Sequence, residues 1–310
     1  MNVATLCLLF VTLFTVGCAT TEPEEFVPPP RTIDLLTADE VARIQEEMTR
    51  PIEEPALVMN ALERLIPTWQ NAQRYGRAEP IERELTRKVV VNFDAIAEMY
   101  ESGTHERQLV AAWALMFSRV PPNELGVESR HLDALDLMLP RLHDLPDDLL
   151  QNTLLAIWRI GEPSTPLSPM TDLVINHHDP VVRANACLVL STILSEETSV
   201  QATEALLVAL TDSDATVRLH AARAVELHPR PVLITHIQTI LADEDSALVL
   251  SAMIRALGTA NARASTPVLV FLLESSREIV AGSAHLALVQ MYGKDLGTRR
   301  SDWAEVMSGG

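Results

Sequence analysis

The chain has 310 residues, of which 47% are hydrophobic and only 4% aromatic, and its formal net charge is −18. That apolar content is enough for a sizeable core, and with so few aromatics the core must be built from Leu, Ala, Val and Ile. The excess of acid repels phosphate backbones and anionic headgroups, which argues against nucleic acid as a partner and leaves any membrane attachment to a covalent or apolar anchor.

Ala and Leu are strong helix formers, and only 11 glycines are present, which argues against a sheet-rich fold with many tight turns. The three cysteines, Cys7, Cys18 and Cys187, have no spacing that suggests a disulfide framework or a zinc site. Cys187 lies in an apolar helical pattern and reads as a small buried hydrophobe.

Residues Val3 to Val16 form an uncharged apolar run of 14 residues, short for a membrane span and of the right length for the apolar part of a signal segment. Thr15-Val16-Gly17-Cys18 follows, with a small residue directly before a cysteine. This resembles the lipobox of bacterial lipoproteins, although Thr15 stands where that family prefers leucine and the first two residues carry no Lys or Arg. The resemblance implies cleavage before Cys18, lipidation of Cys18 and acylation of its new amine. Ala19 at the following position implies the outer membrane, with the protein facing the periplasm. Residues 18–36 include Glu22-Pro23-Glu24-Glu25-Phe26-Val27-Pro28-Pro29-Pro30 and read as an acidic, semi-rigid tether.

The second half of the chain repeats itself. Val182, Val217, Val249 and Val280 are spaced by 35, 32 and 31 residues. Ala186, Ala221, Met253 and Ala284 follow four residues later, and Leu190, Val225, Leu257 and Leu288 follow at eight. Apolar residues at i, i+4 and i+8 make one face of a helix. A second apolar cluster precedes each anchor, at Leu173, Leu206, Ile237 and Leu269, so each unit reads as two antiparallel helices joined by a short turn. Asp179 before Pro180 predicts an N-cap followed by proline at the first helical position, and Asp214 and Asp245 are expected to cap in the same way.

These units resemble HEAT-like repeats, on the segments Asp179-Pro180-Val181-Val182-Arg183-Ala184-Asn185-Ala186 and Asp212-Ser213-Asp214-Ala215-Thr216-Val217-Arg218. The resemblance covers residues 145–292 and implies an all-α fold, a right-handed α-solenoid of antiparallel helix pairs. It also implies an Asp–Arg ladder between neighbouring repeats. Arg183 and Arg218 fit that ladder, whereas Leu250 and Ala281 stand at the later equivalents and leave it incomplete.

Upstream, residues 37–144 are expected to form an N-terminal helical cap (37–75) and degenerate helical repeats. These comprise a strongly apolar helix over Gln108–Phe117 with partners in 81–101 and 128–143. Asp147 to Gly161 predicts a second helix closed by glycine. Residues 293–310 are expected to form a C-terminal cap, with Trp303 folded over the last apolar face. Residues 1–17 complete the division as the signal peptide.

No phosphate-binding glycine loop, nucleophile elbow or His-Glu-x-x-His motif is present, so no catalytic residue, cofactor or metal is assigned. His177, His178 and Asp179 carry metal-ligating side chains, but adjacent histidines on a turn are expected to point in different directions, and no second cluster is spaced to complete a site. His220 and His228 lie two turns apart on one helix and read as part of a solvated face. The third and sixth positions after each anchor are expected to face away from the apolar stripe. They make Asn185, His220, Arg223 and Arg255 the candidate partner-binding residues.

The expectation is a non-enzymatic, lipid-anchored scaffold or adaptor of the bacterial envelope that binds protein partners. An envelope-maintenance lipoprotein contacting the cell wall is the alternative. A lyase of the kind found among HEAT-like proteins is a further reading, with nothing in the sequence pointing to its bilin.

Overall fold

A computed structural model describes residues 55–121, 127–194 and 200–308, and among them there are helices and no strand. The signal segment, Cys18, the tether and residues 37–54 of the N-terminal cap lie outside the described residues. No helix among the described residues is long and apolar enough to cross a membrane. The chain divides into two compact units between Ala134 and Leu135.

The first unit contains α1 (Pro55–Gln73), α2 (Glu79–Val91), α3 (Phe93–Ser102) and α4 (His105–Leu115). Residues 81–101 fall in two helices, α2 and α3. Asn92 separates them, leaving helical geometry at φ −110°, ψ 25°, while its side-chain amide donates to the Lys88 carbonyl at 2.8 Å. Aromatic side chains close this core. Trp69 meets Phe117 edge-on at 5.1 Å and Trp113 at 6.4 Å, and its indole N–H donates to Glu82 at 2.9 Å. Such edge-to-face contacts suit the ring quadrupoles, and the Glu82 oxygen satisfies the one polar atom that Trp69 buries. Helix α5 (His131–Met138) spans the division between the units.

The second unit is built on α6 (Asp147–Ile160) and four helix pairs. These are α7 (Leu167–Asn176) with α8 (Pro180–Ile193), α9 (Val200–Ala209) with α10 (Ala215–Leu227), α11 (Pro231–Ile240) with α12 (Ala247–Thr259), and α13 (Thr266–Leu272) with α14 (Glu278–Tyr292). Second helices pack side by side in the order α6, α8, α10, α12, α14, and α7, α9 and α11 pack along a parallel row of first helices. This is an α-solenoid, in which each repeat buries its apolar face against its neighbours. The anchors Val182, Val217, Val249 and Val280 are all fully buried, as are the residues four and eight positions on.

Local chemistry places the ends of these helices. Gly161 closes α6 in the left-handed conformation at φ 57°, and its N–H donates to the Ile157 carbonyl. Asp179 caps α8, accepting from Val181 N–H at 2.7 Å, and Asp214 caps α10, accepting from Thr216 N–H at 2.7 Å. Asp245 does not cap α12. Ser246 takes that place, three residues before Val249 as Asp214 is before Val217, and Glu244 accepts from Ser246 N–H at 2.8 Å as Asp212 accepts from Asp214 N–H. Gly258 marks the close approach of α12 to α14, where a Cβ would lie 2.9 Å from the Cα of Ala287. In the final segment Trp303 is fully buried, donates to the Gly297 carbonyl at 2.8 Å and meets Tyr292 edge-on at 5.8 Å.

Candidate functional site

Neighbouring repeats are joined by polar rungs along the turns that precede the second helices. Arg183 on α8 makes a bidentate pair with Asp212, at 2.8 and 2.9 Å, and Arg218 on α10 does the same with Glu244, at 2.7 and 3.0 Å. Each guanidinium also caps carbonyls of its own turn: Arg183 donates to His177 and His178, and Arg218 to Asp212 and Ser213. A fork of fixed donors meets a carboxylate and a helix end at once, which lysine cannot reproduce.

Hydrogen bonding to Asp212 raises the Arg183 pKa against its burial, and Arg218 is raised in the same way by Glu244. Burial pushes Asp212 and Glu244 upward, but hydrogen bonds from the arginines and from backbone N–H groups outweigh it and hold both carboxyls low. The ladder changes character at its ends. At the first rung Gln151 donates to Asp179 at 2.9 Å, a neutral donor in place of a cation. After Arg218, Arg277 donates to the Asp245 carbonyl at 2.8 Å.

The four candidate partner-binding residues separate into two groups. Asn185 and His220, at the third position after their anchors, are buried, with 7% and 3% of their surfaces exposed. The expectation that they face a partner is therefore corrected. On an isolated helix that position looks outward, but here each second helix has another second helix beside it. Asn185 accordingly donates to the Gln151 carbonyl of α6 at 3.3 Å, and Ser283, at the equivalent position of α14, shares a 2.6 Å hydrogen bond with Ser251 of α12. Burial, followed by the charge of Arg223, pushes the His220 pKa down to about 3. His228 is not on a solvated face either: its Nε2 lies 3.1 Å from the Ser191 carbonyl of α8.

Arg223 and Arg255, at the sixth position, do reach the surface. Arg255 pairs with Glu226 at 3.0 Å and donates to Ser251 Oγ at 3.1 Å. Burial and the nearby charge of Arg255 both lower the pKa of Arg223. The sixth and tenth positions together form a stripe of part-exposed side chains across four helices. It runs through Leu188 and Thr192, Arg223 and Leu227, Arg255 and Thr259, and Leu286 and Gln290. Leu227 and Leu286 are each 63% exposed. The tenth-position members were not legible without knowing where each second helix ends. The stripe puts two exposed leucines in the same row as Arg223 and the Arg255–Glu226 pair.

The histidines of the α7–α8 turn are also arranged otherwise than their adjacency predicts. The rings of His177 and His178 stack, with centroids 4.7 Å apart and planes 26° from parallel, and both face Asp147 at the start of α6. Cys187 is fully buried, and its thiol is pushed well up by that burial.

Residues 135–226 match the family model described as HEAT repeats. No curated protein matches the chain. Among solved structures the chain is similar to an engineered protein, with 20% identity over 64% of this chain and 95% of that one and a TM-score of 0.48. A second engineered protein shows 20% identity over 82% and 74%, with a TM-score of 0.47. Human deoxyhypusine hydroxylase in complex with glycerol shows 15% identity over 83% and 97%, with a TM-score of 0.38. The family match, the stacked helix pairs and the Arg–carboxylate rungs agree, and the chain carries a HEAT-repeat domain.

Proposed function

We propose that this protein is a non-enzymatic scaffold or adaptor, anchored through lipid on Cys18 in the bacterial envelope, that binds protein partners with the second-helix stripe of its repeats. The supporting observation is that stripe itself. Two leucines with 63% of their surface exposed flank Arg223, Glu226 and Arg255 on parallel helices held in register by the repeat core. Anchoring rests on the sequence, through the apolar leader, the cysteine that ends it and the acidic tether.

The test is crosslinking in intact membranes, followed by purification of wild type, Leu227→Asp with Leu286→Asp, and Cys18→Ala. A discrete partner is expected with wild type and lost from the aspartate variant, which keeps its helicity because both leucines are exposed. Cys18→Ala is expected to leave the membrane fraction. A partner yield unchanged by the aspartates would remove the stripe from the reading. Substrate turnover by the purified protein, abolished by a point substitution, would overturn the non-enzymatic reading.

A further inference from the structure

Asp147, the first residue of α6, lies 30 positions before the turn that carries His177 and His178, yet the three side chains converge. His178 Nε2 is 2.9 Å from one carboxylate oxygen and His177 Nε2 is 3.8 Å from the other. One donor atom from each residue lies within 4.8 Å of the other two. We propose that these three residues bind a divalent transition-metal ion of the zinc class. An ion held tetrahedrally at about 2.0–2.2 Å separates its nitrogen and oxygen ligands by about 3.3–3.5 Å. The two nitrogen–oxygen spacings run to different oxygens of Asp147, and the three donor atoms, all within 4.8 Å of one another, must draw together by up to about 1.5 Å to reach that value. Two imidazoles and one carboxylate suit zinc, cobalt or nickel, whereas magnesium and calcium call for oxygen ligands throughout.

The surroundings favour this reading over a simple ion pair. A part-exposed carboxylate needs only one imidazole as a partner, and His178, with 78% of its side chain exposed, has water as an alternative. Instead its ring lies on that of His177 and turns the same nitrogen to Asp147. Three protein ligands leave the fourth position to water, which the 78% exposed side chain of His178 admits. One cost is visible. His177 Nδ1 accepts a 3.2 Å hydrogen bond from Asp179 N–H, and a metal on Nε2 moves the ring proton to Nδ1, which ends that bond. Binding is therefore of moderate strength. The capping bond from Val181 N–H to Asp179, at 2.7 Å, still holds the turn.

The location gives the ion a role. It would strap α6 to the α7–α8 turn at the rung where Gln151 stands in place of the arginine used by the next two. The test uses the untagged full-length chain, stripped with chelator and titrated with ZnCl₂ by calorimetry and with CoCl₂ by visible absorption. One ion per chain is expected. Its affinity should fall at least about tenfold in His178→Ala, in His177→Ala and in Asp147→Asn, since even outer-shell changes cost that much. Zinc should raise the unfolding midpoint of wild type and not of His178→Ala. His178 is exposed, so that variant keeps its fold and the comparison stands even if Asp147→Asn does not. Absence of stoichiometric uptake, or equal uptake by wild type and His178→Ala, would overturn the proposal.

Discussion

His220 is a buried imidazole on α10, and its Nδ1 has no hydrogen-bond partner among the described residues. Its pKa is pushed from 6.5 down to about 3, chiefly by burial. The folded protein therefore keeps this ring neutral, while the unfolded chain takes up a proton below pH 6.5. The stability associated with the neutral ring is complete above pH 6.5 and is lost progressively as pH falls towards 3, at about 1.4 kcal/mol per pH unit. Between pH 7 and pH 5 wild type is expected to lose about 2 kcal/mol that His220→Leu does not lose, measured by urea unfolding at both values. Equal losses in the two proteins would show that the ring is solvated. Asp212 and Glu244 carry depressed pKa values, so their contributions persist above the ordinary carboxylate range and fail only in stronger acid. The pH 5–7 window therefore excludes them.

The ladder belongs to the scale of elements, because it ties one helix pair to the next rather than stabilising any helix alone. The Arg183 and Asp212 side chains are 14% and 9% exposed, which sets this pair apart from surface ion pairs of negligible worth. Removing either partner leaves the other charge largely buried and unpaired, and removing Arg183 also uncaps the His177 and His178 carbonyls. Arg183→Ala and Asp212→Ala are each expected to cost about 2–3 kcal/mol, and the double variant to cost less than their sum by about 1–3 kcal/mol. A double-mutant cycle by urea unfolding measures this, and additive losses would mean that the rung carries no coupling. The sequence made the arginines legible because each follows a capping aspartate at a fixed offset, as Arg183 follows Asp179. Glu244 was not legible as the acceptor, since it occupies the place of Asp212 in a turn whose capping residue is Ser246 rather than an aspartate.

At the scale of the molecule, a repeat array has an exposed end wherever its neighbours stop. Trp303 covers that end in the second unit, fully buried against Tyr292 and hydrogen-bonded to Gly297. Trp303→Ala is expected to cost about 3–5 kcal/mol, with the loss seen first as faster amide exchange in α14. Unchanged exchange in α14 would confine Trp303 to a local role. Stability in such arrays is close to a sum over repeats and their interfaces, so a lost cap propagates inward rather than unfolding one isolated helix.

The amino-acid sequence by itself determined the helical class, the period of the repeats, the buried stripe beginning at each anchor valine and two of the N-caps. All of these depend on residues close in sequence, through helix periodicity and capping geometry. Tertiary structure alone decided which polar residues reach solvent. Asn185 and His220 carry outward-facing positions in their own helices and are buried only because a second helix lies on each side. It also decided what meets across the repeats: Asp147 with His177 and His178, and Arg255 with Glu226. Those pairings join residues about 30 positions apart, and stacking of whole helices, rather than any local preference, sets the distance between them.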